Sequence, residues 1–234
     1  MNIAVLLAGG LDPSFQMDIP KQFVNVYNVP IIVYTMEKFQ KHSEIDAIMV
    51  ACIPGWENMV SAYAKQFDIN KLQWVITGGQ SGQETSSLAA NKLMESCDKN
   101  DIVIIHDAIR PMVSDEIITD SINTCREKGM GVAAVTSMDN VMMTDDGVTG
   151  KIMISRHAFR RIQTPQTYRL GDLYEAHKEA VEKNICREND TNNMMSLLGR
   201  QITFSKGSDT NLKINTVEDV EMFRALYKMQ SEGV

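Results

Sequence analysis

The stretch Ile3-Ala4-Val5-Leu6-Leu7-Ala8-Gly9-Gly10 begins the sequence as a short apolar run that ends in small residues. A run of this length and composition is typical of a buried strand, and the glycines predict a tight turn where it ends. Further aliphatic and β-branched runs follow along the chain, at residues 45–51, 74–76, 102–105 and 132–135. We therefore predict that the first run is one strand of a larger sheet.

Segments with the apolar spacing of helices lie between these runs, at residues 31–39, 59–67, 87–94 and 117–125. Strands that alternate with helices predict right-handed crossovers, and therefore an α/β fold with a doubly wound, mostly parallel sheet. Further helices are predicted near residues 171–183, 190–198 and 217–229, with a strand at residues 201–204. In such sheets a ligand binds in the crevice outside the carboxyl ends of the strands.

Residues 140–155 break this alternation. Two short apolar runs, Val141–Met143 and Ile152–Ile154, flank turn-forming residues that include Gly147. This pattern predicts a β-hairpin. The hairpin can be an ordinary edge of the same sheet or an arm that reaches a partner subunit, and the pattern alone leaves both open.

Composition and charge narrow the class of protein. The chain has 234 residues, is 44% hydrophobic and can bury the core of a single domain over residues 1–234. Its formal net charge of −7 argues against non-specific nucleic-acid binding, which needs a basic surface. Its four cysteines lack metal-ligand spacing, which favours reduced thiols in a cytoplasm. We find no secretion signal and no apolar stretch approaching the roughly 20 residues of a membrane span, so we expect a cytoplasmic protein without membrane contact.

The turn after the first run can bind phosphate. The backbone N–H groups of Ala8, Gly9 and Gly10 can approach phosphate oxygens closely because the residues are small. Lys21 follows a proline that stiffens its approach, and a fixed cation suits a phosphoryl-transfer transition state. A tight turn without a ligand is the competing interpretation.

Two further groups of polar residues follow strand ends. Asp107 is a strand-end carboxylate, which is costly unless it binds a metal or a ligand, although pairing with Arg110 is an alternative. Gly79 and Thr85 belong to a glycine-rich segment suited to reading a nucleobase edge, or Thr85 serves only as a helix cap. Lys213 by itself would be interpreted as a surface charge.

Four segments of the sequence together indicate a family. They are Leu7-Ala8-Gly9-Gly10 with Pro20-Lys21-Gln22-Phe23, then His106-Asp107-Ala108-Ile109-Arg110-Pro111, then Gln163-Thr164-Pro165-Gln166, and Asn211-Leu212-Lys213-Ile214. In this order and spacing the chain resembles, end to end, the family of methylerythritol-phosphate and ribitol-5-phosphate cytidylyltransferases. The resemblance implies a Rossmann-like fold that transfers CMP from CTP to a polyol phosphate, with Mg²⁺, and releases pyrophosphate.

The resemblance also implies roles for individual residues. The nucleotide would be bound by Ala8, Gly9, Gly10 and Ala108, with Gly79 and Thr85 at the cytosine. Reaction-centre roles fall to Lys21 at the phosphates, Lys213 at the α-phosphate, and Asp107 at the ribose or the Mg²⁺. The acceptor phosphate would be bound by Arg156, Arg110, Thr164 and Asn140. The hairpin would exchange between the two subunits of a homodimer, so that Arg156 can serve the neighbouring site.

The chain also departs from the family pattern. Asp12 and Ser14 stand where the family usually has a glycine and an arginine that clamps the triphosphate. A second hypothesis is therefore a weak or inactive nucleotide-binding homologue that acts as a regulatory subunit. Gly82 and Gln83 replace a segment that contains arginine, which favours the ribitol-phosphate branch. Ribitol 5-phosphate and 2-C-methyl-D-erythritol 4-phosphate both remain open as acceptors. A dehydrogenase is disfavoured because no G-x-G-x-x-G motif opens the first helix.

Overall fold

The computed structural model describes residues 1–9, 19–186, 188 and 190–232. Gly10, a predicted nucleotide contact, and the unusual residues Asp12 and Ser14 lie outside the described residues. In the described part, the strands are β1 Asn2–Ala8, β2 Asn25–Val26, β3 Val29–Pro30, β4 Ala47–Cys52, β5 Leu72–Thr77, β6 Ile102–Asp107, β7 Met130–Thr136, β8 Val141–Met143, β9 Ile152–Ile154, β10 Arg160–Arg169 and β11 Phe204–Lys206.

Seven α-helices are found in the same described ranges. They are α1 Ile31–Lys41, α2 Glu57–Gln66, α3 Gly82–Met94, α4 Asp115–Lys128, α5 Leu170–Glu182, α6 Thr191–Leu197 and α7 Val217–Glu232. Short 3-10 turns cover Lys21–Phe23 and Arg156–Ala158. Among these helices none is both long and apolar enough to cross a membrane.

A mostly parallel sheet forms the centre of the fold. Within the described residues it has seven strands in the order β11-β7-β10-β6-β1-β4-β5. Strand β10 is antiparallel to both of its neighbours, and the other pairs are parallel. Every residue of β4 is buried, as expected for a parallel strand that is covered on both faces. The predicted mostly parallel sheet is confirmed.

Helices cover both faces of this sheet. Along β1, Ala4 and Leu6 pack on one face with residues of α1, α2 and α4. Ile3 and Val5 point to the opposite face and pack with α3, α5 and α6. Successive side chains of a strand alternate between faces, so one short apolar run supplies both cores. The doubly wound arrangement is therefore also as predicted, with α7 packed beside α1 through Phe223.

Local sequence signals fix the ends of several helices. Ser114 caps the start of α4, because its hydroxyl accepts a hydrogen bond from the backbone N–H of Ile117 at 3.3 Å. Gly129 ends the same helix with a φ of 88°, a left-handed conformation that favours glycine. Ser81 caps α3 in the same way as Ser114. These caps set where each helix meets the loops at the edge of the sheet.

Strand β10 is the main element that the sequence pattern did not predict. Its sequence is largely polar and contains Pro165, which cannot donate to a strand ladder. The ladder with β7 shifts register between Ile162 and Gln166, so the proline lies where regular pairing is interrupted. The last strand was also predicted too early, at residues 201–204, whereas β11 covers Phe204–Lys206.

The predicted hairpin forms from the two expected runs. Strands β8 and β9 pair antiparallel, with Val141 opposite Ile154, in a two-stranded sheet of their own. The hairpin is therefore a separate projection and not an edge of the main sheet. Met143 and Ile152 are more than half exposed on it, at 52% and 58%.

Candidate active site

A cleft lies at the carboxyl ends of β1, β5 and β6. Strands β4 and β5 follow on one side of β1, while β6 lies on its other side, so the strand order reverses next to β1. Ligands of doubly wound folds bind at such reversals. The lining comprises Leu7, Ala8, Gly9, Lys21, Gln22, Gly79, Gln80, Ser81, Gly82, Thr85, Asp107, Ile109 and Lys213. Ala8 and Gly9, the glycine-rich segment and Asp107 thus converge on one crevice, as their positions at strand ends predict.

Thr85 shapes the loop between β5 and α3. Its hydroxyl donates to the Ser81 carbonyl oxygen at 2.8 Å and accepts from the Gly79 backbone N–H at 3.0 Å. The hydroxyl therefore uses both its hydrogen and its oxygen for hydrogen bonds within the loop itself. Ser81, and not Thr85, caps α3, so the predicted capping alternative for Thr85 is wrong.

Gly79 is required by a close approach in the same loop. A Cβ atom at this position would lie 2.7 Å from the Cβ atom of Glu84. The Glu84 carboxylate accepts the backbone N–H of Gln80 at 2.7 Å, so it cannot swing away without breaking that bond. The loop is thereby held open toward the cleft by small residues and by its own hydrogen bonds.

The two residues that follow Lys21 hold it in place. Phe23 stacks on Trp56 with ring centroids 4.1 Å apart, and Gln22 donates to the Ala8 carbonyl oxygen at 2.8 Å. The Lys21 ammonium group donates to Asn215 Oδ1 at 3.2 Å. A largely buried lysine whose next two residues are anchored in this way places a cation at a defined point beside the end of β1.

Asp107 is held by two cations. Its carboxylate accepts from Arg110 Nε at 2.8 Å and from Lys213 Nζ at 3.1 Å. Burial alone would raise the pKa of this carboxyl, but the charges of Lys213 and Arg110 outweigh burial and lower the pKa to about 2. Asp107 is therefore ionised throughout the neutral range. The predicted pairing with Arg110 exists, and the same carboxylate also lines the cleft.

Hydrogen bonds to the segment after β6 position Lys213. Arg110 Nη1 donates to the Asn211 carbonyl oxygen at 2.8 Å, and the Ile214 backbone N–H donates to the Ile109 carbonyl oxygen at 2.9 Å. Ile214 is fully buried, which anchors the chain directly after the lysine. Lys213, which its sequence position alone would suggest to be a surface charge, is therefore held at the cleft and paired with Asp107, although its side chain is 40% exposed.

His106 organises the other side of Asp107. Burial lowers the pKa of His106 to about 4, so the ring is neutral. Its Nε2 faces the Arg110 carbonyl oxygen at 3.2 Å and must donate to it, which leaves Nδ1 as an acceptor. Thr164 Oγ1, 3.0 Å from that Nδ1, then donates its hydrogen to the ring and accepts the Asp107 backbone N–H at 3.0 Å. His106 thus holds structure and does not act as a base.

A second cleft adjoins the first and shares Leu7, Asp107 and Lys213 with it. Its other lining residues come from β6, the segment after β6, β10 and the start of α6, and they are Ile105, Arg110, Ile162, Gln163, Thr164, Gln166, Asp190 and Thr191. The two clefts therefore meet at Asp107 and Lys213. Two molecules, one bound in each cleft, would therefore come closest to each other at this junction.

The predicted residues divide into three groups by location. Those in the first cleft are Ala8, Gly9, Lys21, Gly79, Thr85, Asp107 and Lys213, and Arg110 and Thr164 line the second. Ala108 lines neither cleft, because it is fully buried and its N–H donates to the Leu7 carbonyl oxygen. Arg156 and Asn140 are exposed in the hairpin region and line neither cleft of their own chain.

Sequence reasoning assigned no role to Gln22, Asn211 or Asn215, which position the two lysines. Gln22 and Asn211 belong to the segments that carry the family resemblance, and all three lie within two residues of Lys21 or Lys213, which was the signal that could have found them. Among the described residues, no three His, Cys, Asp or Glu side chains come together as a metal site made by protein alone.

Comparison with known proteins shows which proteins this chain resembles. The sequence matches the family described as IspD, 2-C-methyl-D-erythritol 4-phosphate cytidylyltransferase, over residues 2–228. A ribitol-5-phosphate cytidylyltransferase of Lacticaseibacillus paracasei is 39% identical, over 96% of this chain and 97% of the relative. One from Vibrio parahaemolyticus is 33% identical, over 98% and 97%. A 2-C-methyl-D-erythritol 4-phosphate cytidylyltransferase of Clostridium novyi is 31% identical, over 94% of both chains.

Solved structures of similar proteins have the same fold as this chain. The crystal structure of 2-C-methyl-D-erythritol 4-phosphate cytidylyltransferase from Thermus thermophilus has a TM-score of 0.76 at 25% identity, over 97% of this chain and all of the other. The Francisella tularensis enzyme has a TM-score of 0.78 at 25% identity, over 96% and 99%. Both cover nearly the full length, which includes the elements that build the two clefts.

Proposed function

This chain belongs to the 2-C-methyl-D-erythritol 4-phosphate cytidylyltransferase (IspD) family, and we propose that it transfers CMP from CTP to ribitol 5-phosphate. The products are CDP-ribitol and pyrophosphate. Among the relatives described above, those named for ribitol 5-phosphate are more similar to this chain than the one named for methylerythritol phosphate. The observation that carries the proposal is the pair of clefts that meet at Asp107 and Lys213.

The reaction joins two phosphates at that junction. A non-bridging oxygen of the acceptor phosphate attacks the α-phosphorus of CTP. The bond from that phosphorus to the oxygen bridging the β-phosphorus breaks, and pyrophosphate leaves with the electron pair. A phosphate monoester has a second pKa near 6, so at neutral pH the attacking oxygen is already ionised and needs no base. Positioning and charge neutralisation therefore suffice.

The lysines supply the positive charge. Lys21 lies at the end of β1 beside the glycine turn, where it meets the triphosphate. Lys213 lies at the junction of the clefts, where negative charge develops around the α-phosphorus in the transition state. The loop from Gly79 to Thr85 accepts the nucleobase. Ala108 would act only through the backbone of the Leu7 turn, because its own N–H is bound to Leu7.

Asp107 is the residue suited to Mg²⁺. Magnesium sites in nucleotide enzymes commonly use one or two carboxylates together with substrate phosphates. The Asp107 carboxylate is ionised and keeps lone pairs beyond those used by Arg110 and Lys213. Held there with triphosphate oxygens, the metal would neutralise phosphate charge. The absence of a protein-only metal cluster among the described residues agrees with such a shared site.

The acceptor phosphate is bound from two directions. Arg110 and Thr164 line the second cleft of the same chain. Arg156 and Asn140 lie in the exposed hairpin region, and among the described residues Arg156 has no ion-pair or side-chain hydrogen-bond partner. We propose that they reach the cleft of a second subunit in a homodimer.

The surface of the hairpin supports this arrangement. Four of its apolar side chains are about half exposed, namely Met142, Met143, Ile152 and Met153. A two-stranded hairpin is marginally stable alone and needs a further surface to pack against. Large exposed apolar patches commonly mark protein interfaces. We propose that its copy in a second subunit covers this surface.

An acceptor panel tests the proposed function. Ribitol 5-phosphate and 2-C-methyl-D-erythritol 4-phosphate are assayed separately with CTP and Mg²⁺, and pyrophosphate release is followed. We expect a higher kcat/KM with ribitol 5-phosphate. A preference for methylerythritol phosphate would contradict the choice of acceptor, and no release with either would support the binding-only hypothesis.

A further inference from the structure

We propose that the hydroxyl group of Thr191 binds a hydroxyl of the acceptor's alditol chain and thereby helps to select the acceptor. This inference deepens the proposed function, on which it rests. The observation that carries it is a buried hydrogen-bonding group left without a partner in the wall of the second cleft.

Thr191 lines the second cleft and is 1% exposed. Its Oγ1 atom has no hydrogen-bond partner among the described residues. Buried polar groups in native proteins are nearly always paired, because an unpaired one forfeits its hydration without compensation. An unpaired hydroxyl in the wall of a substrate cleft therefore indicates a partner that arrives with the ligand.

Other polar groups of this wall are already bound within the protein. The Thr164 hydrogen goes to His106, and both ends of the Gln163 amide bind the backbone of Ser208, at 2.8 and 3.2 Å. Arg110 is shared between Asp107 and the Asn211 carbonyl oxygen. Thr191 therefore stands out among these groups as one whose hydrogen-bonding capacity is unused.

The charges of the lining residues determine the orientation of the acceptor in the second cleft. The phosphate must lie at the junction with the first cleft, because it attacks the α-phosphorus there, and Lys213 and Arg110 are near that end. Asp190 lies beside Thr191, and a carboxylate repels a phosphate but accepts hydrogen bonds from hydroxyls. The alditol chain is therefore directed toward Asp190 and Thr191.

Thr191 is held in place by its neighbours along the chain. Asp190 accepts the backbone N–H of Asn193 at 2.9 Å, which fixes the start of α6. The Tyr168 hydroxyl donates to Asn192 Oδ1 at 2.7 Å and ties the same residues to β10. A hydroxyl on such a braced backbone is positioned before the substrate binds, which favours discrimination between substrates.

The test removes the hydroxyl without changing the shape of the side chain. Thr191→Val is compared with Thr191→Ser, which keeps the hydroxyl, and KM is measured for ribitol 5-phosphate and for CTP. We expect Thr191→Val to raise KM for ribitol 5-phosphate roughly tenfold, the scale of one unpaired buried group, while KM for CTP stays unchanged. Thr191→Ser should remain within about twofold of wild type.

Analogues of ribitol 5-phosphate that each lack one hydroxyl separate a contact from a structural effect. The analogue that lacks the hydroxyl bound by Thr191 should be a poor acceptor for the wild type, and Thr191→Val should not raise the KM of that analogue further. An unchanged KM for ribitol 5-phosphate in Thr191→Val would overturn the inference, as would an equal loss with every analogue. Wild type is assayed alongside the variants. If the wild type is active and KM for ribitol 5-phosphate is unchanged in Thr191→Val, only the proposed hydroxyl contact is wrong. If the wild type is inactive, the proposed function and the inference are both wrong.

Discussion

At the scale of single residues, Asp107 shows how a carboxylate stays ionised although its side chain is only 15% exposed. Arg110 and Lys213 approach it from two sides and lower its pKa to about 2, against the effect of burial. The stabilisation that this gives the fold is complete above the ordinary pKa of 3.8 and is lost as the pH falls through about 2. The charge of Asp107 therefore stays constant over any pH at which the enzyme would be assayed.

Replacing either cleft lysine should slow turnover. A cation that contacts the transferred phosphoryl group stabilises the transition state more than the ground state, so its loss appears in kcat. We expect Lys213→Ala to lower kcat roughly 10²-fold or more, and Lys21→Ala to lower kcat and also raise KM for CTP. Steady-state kinetics with both substrates varied measures these changes.

Lys178→Ala is the matched control for the lysine variants, because Lys178 is exposed on α5 and lies outside the linings of both clefts. It should keep wild-type kinetics. Turnover in Lys213→Ala equal to that of wild type would show that this lysine does not contact the reacting phosphate.

At the scale of elements, the loop between β5 and α3 depends on one hydroxyl. Thr85→Val leaves the Gly79 N–H without its partner, at a cost of about 1–3 kcal/mol where it is shielded from water, and removes one of the two hydrogen bonds to the Ser81 carbonyl oxygen, which still accepts the Thr85 backbone N–H. We expect this variant to raise KM for CTP and to lower the melting temperature. Thr85→Ser retains the hydroxyl and should preserve both values. Loss of CTP affinity in Thr85→Ser as large as in Thr85→Val would contradict the role of the hydroxyl.

The elements also show what the sequence pattern could predict. Apolar runs such as that of β1 predict buried strands. A strand that is covered on both faces has apolar side chains on both, so its whole sequence is apolar. Strand β10 gives no such signal, because its sequence is largely polar and its proline lies at a register shift. Asp107 and Lys21 were predictable from their positions after strand ends. The local pairing of Asp107 with Arg110 was predictable as well, whereas Asn211 and Asn215 acquire their positioning contacts only when distant segments fold together, and local pattern cannot reveal that.

At the scale of the whole molecule, two buried histidines make stability depend on pH. Burial lowers the pKa of His106 and of His177 to about 4. A depressed histidine pKa means that the unfolded chain binds more protons between pH 6.5 and 4, so stability falls as the pH falls through that window. For each histidine, the free energy of unfolding should fall by about 2 kcal/mol when the pH is lowered from 7 to 5.

Urea unfolding at pH 7 and pH 5 measures this effect. His177→Gln removes one of the two groups and should reduce the loss between these pH values by about 2 kcal/mol. His157→Gln is the matched control, since His157 is exposed on the 3-10 turn after the hairpin, and it should keep the wild-type pH dependence. An undiminished loss in His177→Gln would contradict the burial of a neutral ring.

The proposed dimer has a direct test by mixing inactive chains. If Arg156 serves the partner's cleft, a mixed dimer of Arg156→Ala and Lys213→Ala chains contains one cleft with both defects and one with neither. Random pairing should then restore up to about a quarter of wild-type activity at low acceptor concentration. Mixing Lys21→Ala with Lys213→Ala is the control, because both lysines lie in the cleft of their own chain and no mixed dimer gains an intact site. Failure of the first mixture to recover activity, with mixed dimers present, would contradict arm exchange.

The measurement that tests the central claim most directly is identification of the products from CTP and ribitol 5-phosphate labelled with ¹⁸O in its three non-bridging phosphate oxygens. Direct attack by this phosphate predicts CDP-ribitol that carries all three labels, together with an equal amount of unlabelled pyrophosphate. Mass spectrometry detects both species. Release of CMP in place of CDP-ribitol, or no labelled nucleotide at all, would contradict the transfer of CMP to ribitol 5-phosphate at the junction of the two clefts.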